Sequence, residues 1–81
     1  MTATVHADGP RTVVALEGDA DESTRLGLCR VLSGVISVPS GDVVIDLTQT
    51  TFVGAAAGRI LATAAQLLGD QERKLTFRSP T

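Results

Sequence analysis

The chain has 81 residues with seven basic and nine acidic side chains, a formal charge of −2, two aromatic rings and one cysteine. That length holds one small domain with a modest core. It offers neither the basic footprint nor the stacking rings that nucleic-acid binding needs. A single cysteine forms no internal disulfide and suits a reducing cytoplasm. The apolar stretch from Val53 to Gly69 is short for a membrane span and is interrupted by Arg59 and Gln66. No basic region followed by an apolar core marks a secretory signal. The expectation is one domain over residues 1–81, cytoplasmic, with no nucleic-acid or membrane partner.

The elements follow in order. Thr4-Val5-His6 reads as a short strand, Asp8-Gly9-Pro10 as a turn, and Thr12 to Glu17 as a second strand, which together make a hairpin. His6, the one histidine, falls on this edge as an exposed structural residue. Gly18-Asp19-Ala20-Asp21 is expected to break the strand, with Asp19 or Asp21 capping the next helix. Leu26, Cys29, Leu32, Val35 and Ile36 recur at three- and four-residue intervals and form one helical stripe. Within it Cys29 reads as a small buried hydrophobe. After a loop at Val38-Pro39-Ser40-Gly41-Asp42, the β-branched run Val43-Val44-Ile45 suits a central strand covered on both faces. A second helix is written from Gly54 to Leu68, with Ile60, Leu61, Ala64, Leu67 and Leu68 as its apolar stripe. Gly69 is the expected residue just past its end. Arg73 to Arg78 alternates around Leu75 and Phe77 and reads as the last strand. The order is β-β-α-β-α-β, an α/β fold whose helical crossovers join parallel strands with right-handed connections.

Constellations for catalysis do not assemble. A nucleophile needs a base within reach, and His6 lies on the far strand. No histidine and cysteine cluster exists to hold a metal. Gly54 and Gly58 are too close for a phosphate-cradling loop, and Arg59-Ile60 follow instead of Lys and Ser or Thr. Asp19, Asp21 and Asp46 could converge as paired carboxylates, but capping for the first two and a loop hydrogen bond for Asp46 is the simpler reading. The chain reads as non-enzymatic, with no catalytic residue, metal or cofactor.

Two segments resemble a known family. Val14-Ala15-Leu16-Glu17-Gly18-Asp19-Ala20-Asp21 is similar to the "G-E-L-D" strand end of STAS domains, those of anti-sigma factor antagonists and sulfate transporters. Val43-Val44-Ile45-Asp46-Leu47-Thr48-Gln49-Thr50-Thr51-Phe52-Val53 resembles the family's "v-v-l-D-L-S-x-V-x-F" segment, and Gly69 with Lys74-Leu75-Thr76-Phe77 resembles its following strand. The resemblance covers nearly the whole chain in the right order. It implies a small α/β interaction domain that binds an anti-sigma factor or a related regulatory protein. In such domains a partner kinase phosphorylates Ser or Thr at the start of the second helix, which releases the complex.

Two departures stand out. Where the family runs D-S-S/T-G, this chain has Gly54, Ala55, Ala56 and Ala57, so the acid and both hydroxyls are gone. Ala56 falls at the phosphorylated position. The resemblance implies a docking face of Asp21, Gly54, Ala55, Ala56, Ala57, Arg59 and Thr63 that is not switched at that site. Equally, the small residues could serve only close helix–sheet packing. The second departure is the C-terminal helix, which family members carry after the last strand and this sequence lacks. Either the domain is a minimal form, or that helix lies outside these 81 residues, or a partner chain covers the exposed face. A homodimer is one such arrangement. A different reading makes the chain a nucleotide- or lipid-binding subunit of a larger complex, with Gly54 to Gly58 lining the ligand.

Overall fold

A computed structural model describes residues 1–20, 24–38 and 41–78. Its elements are β1 (Thr2–Asp8), β2 (Arg11–Ala20), α1 (Arg25–Ser37), β3 (Val43–Val53), α2 (Ala55–Asp70) and β4 (Leu75–Arg78). They form one four-stranded sheet in the order β1-β2-β3-β4. β1 and β2 are antiparallel, joined by a tight turn at Gly9-Pro10, while β2, β3 and β4 run parallel. The expected β-β-α-β-α-β order and hairpin are observed, and no helix follows β4 among the described residues.

Apolar patterning explains the layers. Val14, Leu16, Val43 and Ile45 point to one side and form a single core with Leu28, Leu32 and Val35 of α1 and Ala57, Leu61, Ala64 and Leu68 of α2. Both crossovers advance across the sheet in the same direction, so right-handed connections place both helices on the same face. Val13 and Val44 stand side by side on the opposite face and are also buried. The β-branched run of β3 is buried throughout, as its central position requires.

Several expectations are corrected. Strand β2 does not break at Gly18. It continues to Ala20, with Gly18 at φ +86°, a backbone conformation glycine adopts freely, next to a register shift where β3 carries one residue more than β2. Asp19 therefore stays in the strand. It accepts a hydrogen bond from the Thr51 hydroxyl and caps no helix. The N-cap of α1 is Thr24, without a side-chain capping bond, and Asp21 lies outside the described residues.

In α1 the sheet selects Leu28, Leu32 and Val35, the i, i+4, i+7 set, and Leu26 is left 71% exposed. Cys29 is only half-buried and lines a groove between the two helices. Leu67 of α2 is likewise exposed, while Ala57 joins the core.

The C-terminus of α2 is also displaced from Gly69. The helix continues to Asp70, and Glu72 takes the left-handed conformation at φ +59°. The N–H of Arg73 donates to the carbonyl of Leu68 at 2.8 Å, and that of Glu72 to Gly69 at 3.0 Å, the pair of bonds of a Schellman cap. β4 then begins at Leu75. Arg73 is buried, its Nε donating to the Gly41 carbonyl at 2.9 Å and its Nη1 to the Ile36 carbonyl at 3.3 Å and to Gln71 Oε1 at 2.9 Å. One guanidinium thus ties the last turn of α1, the loop before β3 and the end of α2. At Gly41 a Cβ would sit 2.2 Å from the Pro10 carbonyl oxygen, so this loop closes on the hairpin turn only with glycine there.

Candidate functional site

The parallel strands β2 and β3 deliver their carboxyl ends, and α1 and α2 their amino ends, to one edge of the domain. The β3-to-α2 junction is held by the N–H of Gly54, which donates to the Ala20 carbonyl at 2.7 Å. Gly54 is the N-cap of α2 in extended conformation, and it makes no side-chain capping bond. The first intrahelical bond runs from the N–H of Gly58 to the carbonyl of Gly54 at 3.0 Å. The first turn carries no acidic residue either. A sixteen-residue helix therefore starts with nothing but methyl groups and backbone around its positive end.

The three alanines have different surroundings. Ala55 is exposed, Ala56 is half-buried at the edge, and Ala57 is fully buried at 0% exposure within the core. Ala57 therefore presents nothing to a partner, because it is in phase with Leu61, Ala64 and Leu68 on the buried face of α2, while Ala55 and Ala56 fall beside that face. Arg59 is exposed on the outer side of α2. Thr63 lies one turn further along, donating its hydroxyl to the Arg59 carbonyl at 2.9 Å, and lines the α1–α2 groove away from the edge. Of the expected face, Gly54, Ala55, Ala56 and Arg59 thus cluster at the start of α2, Ala57 turns inward, and Thr63 sits up the helix.

The structure adds residues that the pattern did not single out for this face. Phe52 and Val53, the last two residues of β3, are 54% and 40% exposed. They end β3 directly before Gly54, with Val53 paired to the buried Ala20 of β2. Leu26 is exposed in the first turn of α1, at the same end of the sheet. For Phe52 and Val53 the signal available in the sequence was position, past the buried strand run, whereas Leu26 carried none, because its three-residue spacing to Cys29 placed it in the expected stripe of α1.

Asp19 and Asp46, the described members of the acidic trio, do not meet. Asp19 is engaged with Thr51 at this edge. Asp46 sits within β3 on the face opposite the helices, where its Oδ1 accepts from the Thr48 hydroxyl at 2.7 Å and the Thr48 N–H at 3.0 Å. Arg78 lies alongside, 3.6 Å from Asp46 Oδ2. The Thr48 hydroxyl first, then its N–H, with a further contribution from Arg78, hold the Asp46 carboxyl below its ordinary range. The Asp46 bond is therefore a local strand device and not a loop contact. No group of three or more metal-ligating side chains gathers among the described residues. No helix among them is long and apolar enough to cross a membrane.

A two-layer α/β domain in the order β-β-α-β-α-β with parallel crossovers is the architecture of the STAS class. The comparisons place the chain within it: the family model described as "Mlab, STAS domain" matches residues 3–81, and the chain belongs to this STAS family. Among solved structures, an anti-sigma factor antagonist from Mycobacterium paratuberculosis superposes with a TM-score of 0.90 at 27% identity, over 96% of this chain and 66% of that one. The chain thus spans a little under two thirds of that relative's length. The anti-sigma factor antagonist SpoIIAA in its unphosphorylated form matches with a TM-score of 0.78 at 10% identity, over 94% of this chain and 71% of that one. An antisigma-factor antagonist STAS domain from Rhodobacter sphaeroides matches with a TM-score of 0.73 at 14% identity, over 95% and 82%. At such identities these last two establish the shared fold. No functionally curated protein matches the sequence significantly.

Proposed function

We propose that residues 1–81 act as one non-enzymatic interaction domain of the anti-sigma factor antagonist type, working in the cytoplasm. Its partner is an anti-sigma factor or a kinase-like regulatory protein. The binding face is the edge formed by Gly54, Ala55, Ala56 and Arg59 with Phe52 and Val53. The observation that carries this reading is the start of α2, which in a STAS domain offers exposed apolar surface and methyl groups without a hydroxyl or an acid. Apolar exposure of this kind suits a protein partner, since desolvating it on contact is favourable. A phosphate at Ala56 would add nearly two negative charges to that contact, and alanine cannot receive one. The domain is therefore permanently competent to bind.

The test is calorimetric titration of the anti-sigma factor encoded nearest to this chain, before and after incubation with ATP. Equal affinity in both titrations, and no phosphate on the domain, is the expected result. A loss of affinity with phosphate on Thr50, Thr51 or Thr63 would overturn the permanent competence. Titration of ATP, GTP and a fatty acid alone separates this reading from a ligand-binding one, and no heat is expected.

A further inference from the structure

Strand β1 ends the sheet on one side, so one line of its backbone N–H and C=O groups has no strand partner among the described residues. Proteins ordinarily blunt such an edge with lysine, proline, a bulge or a very short strand. The opposite edge follows that rule: β4 has four residues and is bracketed by Lys74 and Arg78. β1 does not. It has seven residues, pairs with β2 without a register shift, and contains no lysine, proline or glycine.

Beside this open edge lies an apolar groove of about 470 Å³ between β1 and α1. Val5 and Ala7 form its strand side, and Val5 stands opposite the core residue Val14, so both face the helix layer. Val31, Val35 and Val38 form its helix side, and Gly34 leaves a gap between them. Val5 is 50% exposed there. The groove contains one permanent cation, Arg30, which has no hydrogen-bond or ion-pair partner among the described residues.

We propose that the β1–α1 groove is a second docking site, for an extended peptide segment of a protein partner. The segment adds to β1 as a fifth strand. Alternate apolar side chains seat against Val5, Ala7, Val31 and Val35, and an acidic side chain meets Arg30. Main-chain bonding to an open edge supplies affinity in this mode, and pockets for every second side chain supply selectivity. The acid follows from charge complementarity with an unpartnered guanidinium, which prefers a planar carboxylate. β2 separates β1 from β3, so this site is independent of the edge at α2 and of its assigned function.

The experiment selects a phage-displayed dodecapeptide library against the whole 81-residue protein and follows the enriched peptides by amide NMR. Enriched sequences are expected to alternate apolar and polar residues and to carry an acid. They should shift the signals of Thr2 to Asp8 and of Arg30 to Val38, and slow exchange of β1 amides. Methylating alternate peptide nitrogens in the ligand should abolish binding without touching the protein. Arg30→Glu should weaken an acidic peptide about tenfold or more, and a lysine in place of the acid should restore binding to that variant. The proposal is overturned by no enrichment, by peptides indifferent to Arg30→Glu, or by shifts confined to the start of α2. Light scattering that reports a dimer with protected β1 amides would likewise overturn it, since a second copy would then hold the edge.

Discussion

Placing the same residue, aspartate, at Ala55, Ala56 and Ala57 should give three different outcomes. Ala55 is exposed at the first helical position, and the first turn of α2 has neither an acid nor a capping side chain. A carboxylate there meets the positive helix end and should stabilise the fold by about 0.3–1 kcal/mol. Ala56 is half-buried at the rim, so part of that gain is offset by desolvation and the net change should stay within about 0.5 kcal/mol of zero. Ala57 is fully buried among Leu61 and the strand residues of the core. A carboxylate there costs several kcal/mol of desolvation, with about 1–3 kcal/mol more for overpacking. A domain of this size has roughly 4–12 kcal/mol in total, at about 0.05–0.15 per residue, so Ala57→Asp should be largely unfolded. Urea denaturation followed by circular dichroism reads all three. Partner titration of the first two should show at least about a tenfold loss of affinity from folded protein. An Ala57→Asp variant as stable as wild type would refute the inward placement of that residue. A destabilised Ala55→Asp would refute the uncapped helix end.

Other substitutions test the frame beneath the site. Arg73→Ala removes the bonds to Gly41, Ile36 and Gln71, and should cost about 2–4 kcal/mol, since bonds from a charged donor contribute about 1.5–3 each and are not additive. Arg73→Lys should recover only part of the lost melting temperature, because a point ammonium does not span the fork. Glu72→Gly should raise stability by about 0.5–1 kcal/mol: relief of the left-handed backbone, about 1–2 kcal/mol, exceeds the added chain entropy of glycine. That gain is a rise in Tm of roughly 2–8 °C in a scanning melt. Asp46 has a depressed carboxyl, so its contribution is present above the ordinary carboxylate range and is lost as pH falls through the lower folded value. Acid titration of Asp46→Asn below about pH 4 should therefore show a shallower loss of stability than wild type.

The layer order was legible because each element carried its own period. The alternating hairpin, the β-branched run at Val43 and two spaced helices settle the topology, and short right-handed crossovers leave few alternatives. The phase of α1 was not legible. The expected stripe of Leu26, Cys29, Leu32, Val35 and Ile36 shares Leu32 and Val35 with the buried face, and only the packed sheet brings in Leu28 and leaves Leu26 outside. The end of α2 was missed for a related reason. Gly69 is the better left-handed residue, but Leu68 must reach the core, and the bonds that close the helix then fall on Glu72 and Arg73. Arg73 itself looked like a strand residue because its carbonyl partners lie more than thirty positions away. The site shows the same division. The missing hydroxyls at Ala55 and Ala56 could be read directly, whereas the inward turn of Ala57 follows from the packed phase of α2, and the exposure of Phe52 and Val53 from the tertiary surroundings of the end of β3.

The central claim is that the start of α2 binds a regulatory protein without a phosphate switch. Restoring the switch tests it most directly. Ala56→Ser returns one hydroxyl to the edge at little cost, since serine is only a few tenths of a kcal/mol below alanine as a helix former. The variant and the wild type are each incubated with the partner kinase and ATP, then titrated against the partner. The account predicts phosphate on the variant at position 56 alone, with affinity lost at least about tenfold, while the wild type remains unmodified and bound. Phosphorylated Ala56→Ser that binds as tightly as wild type would contradict it.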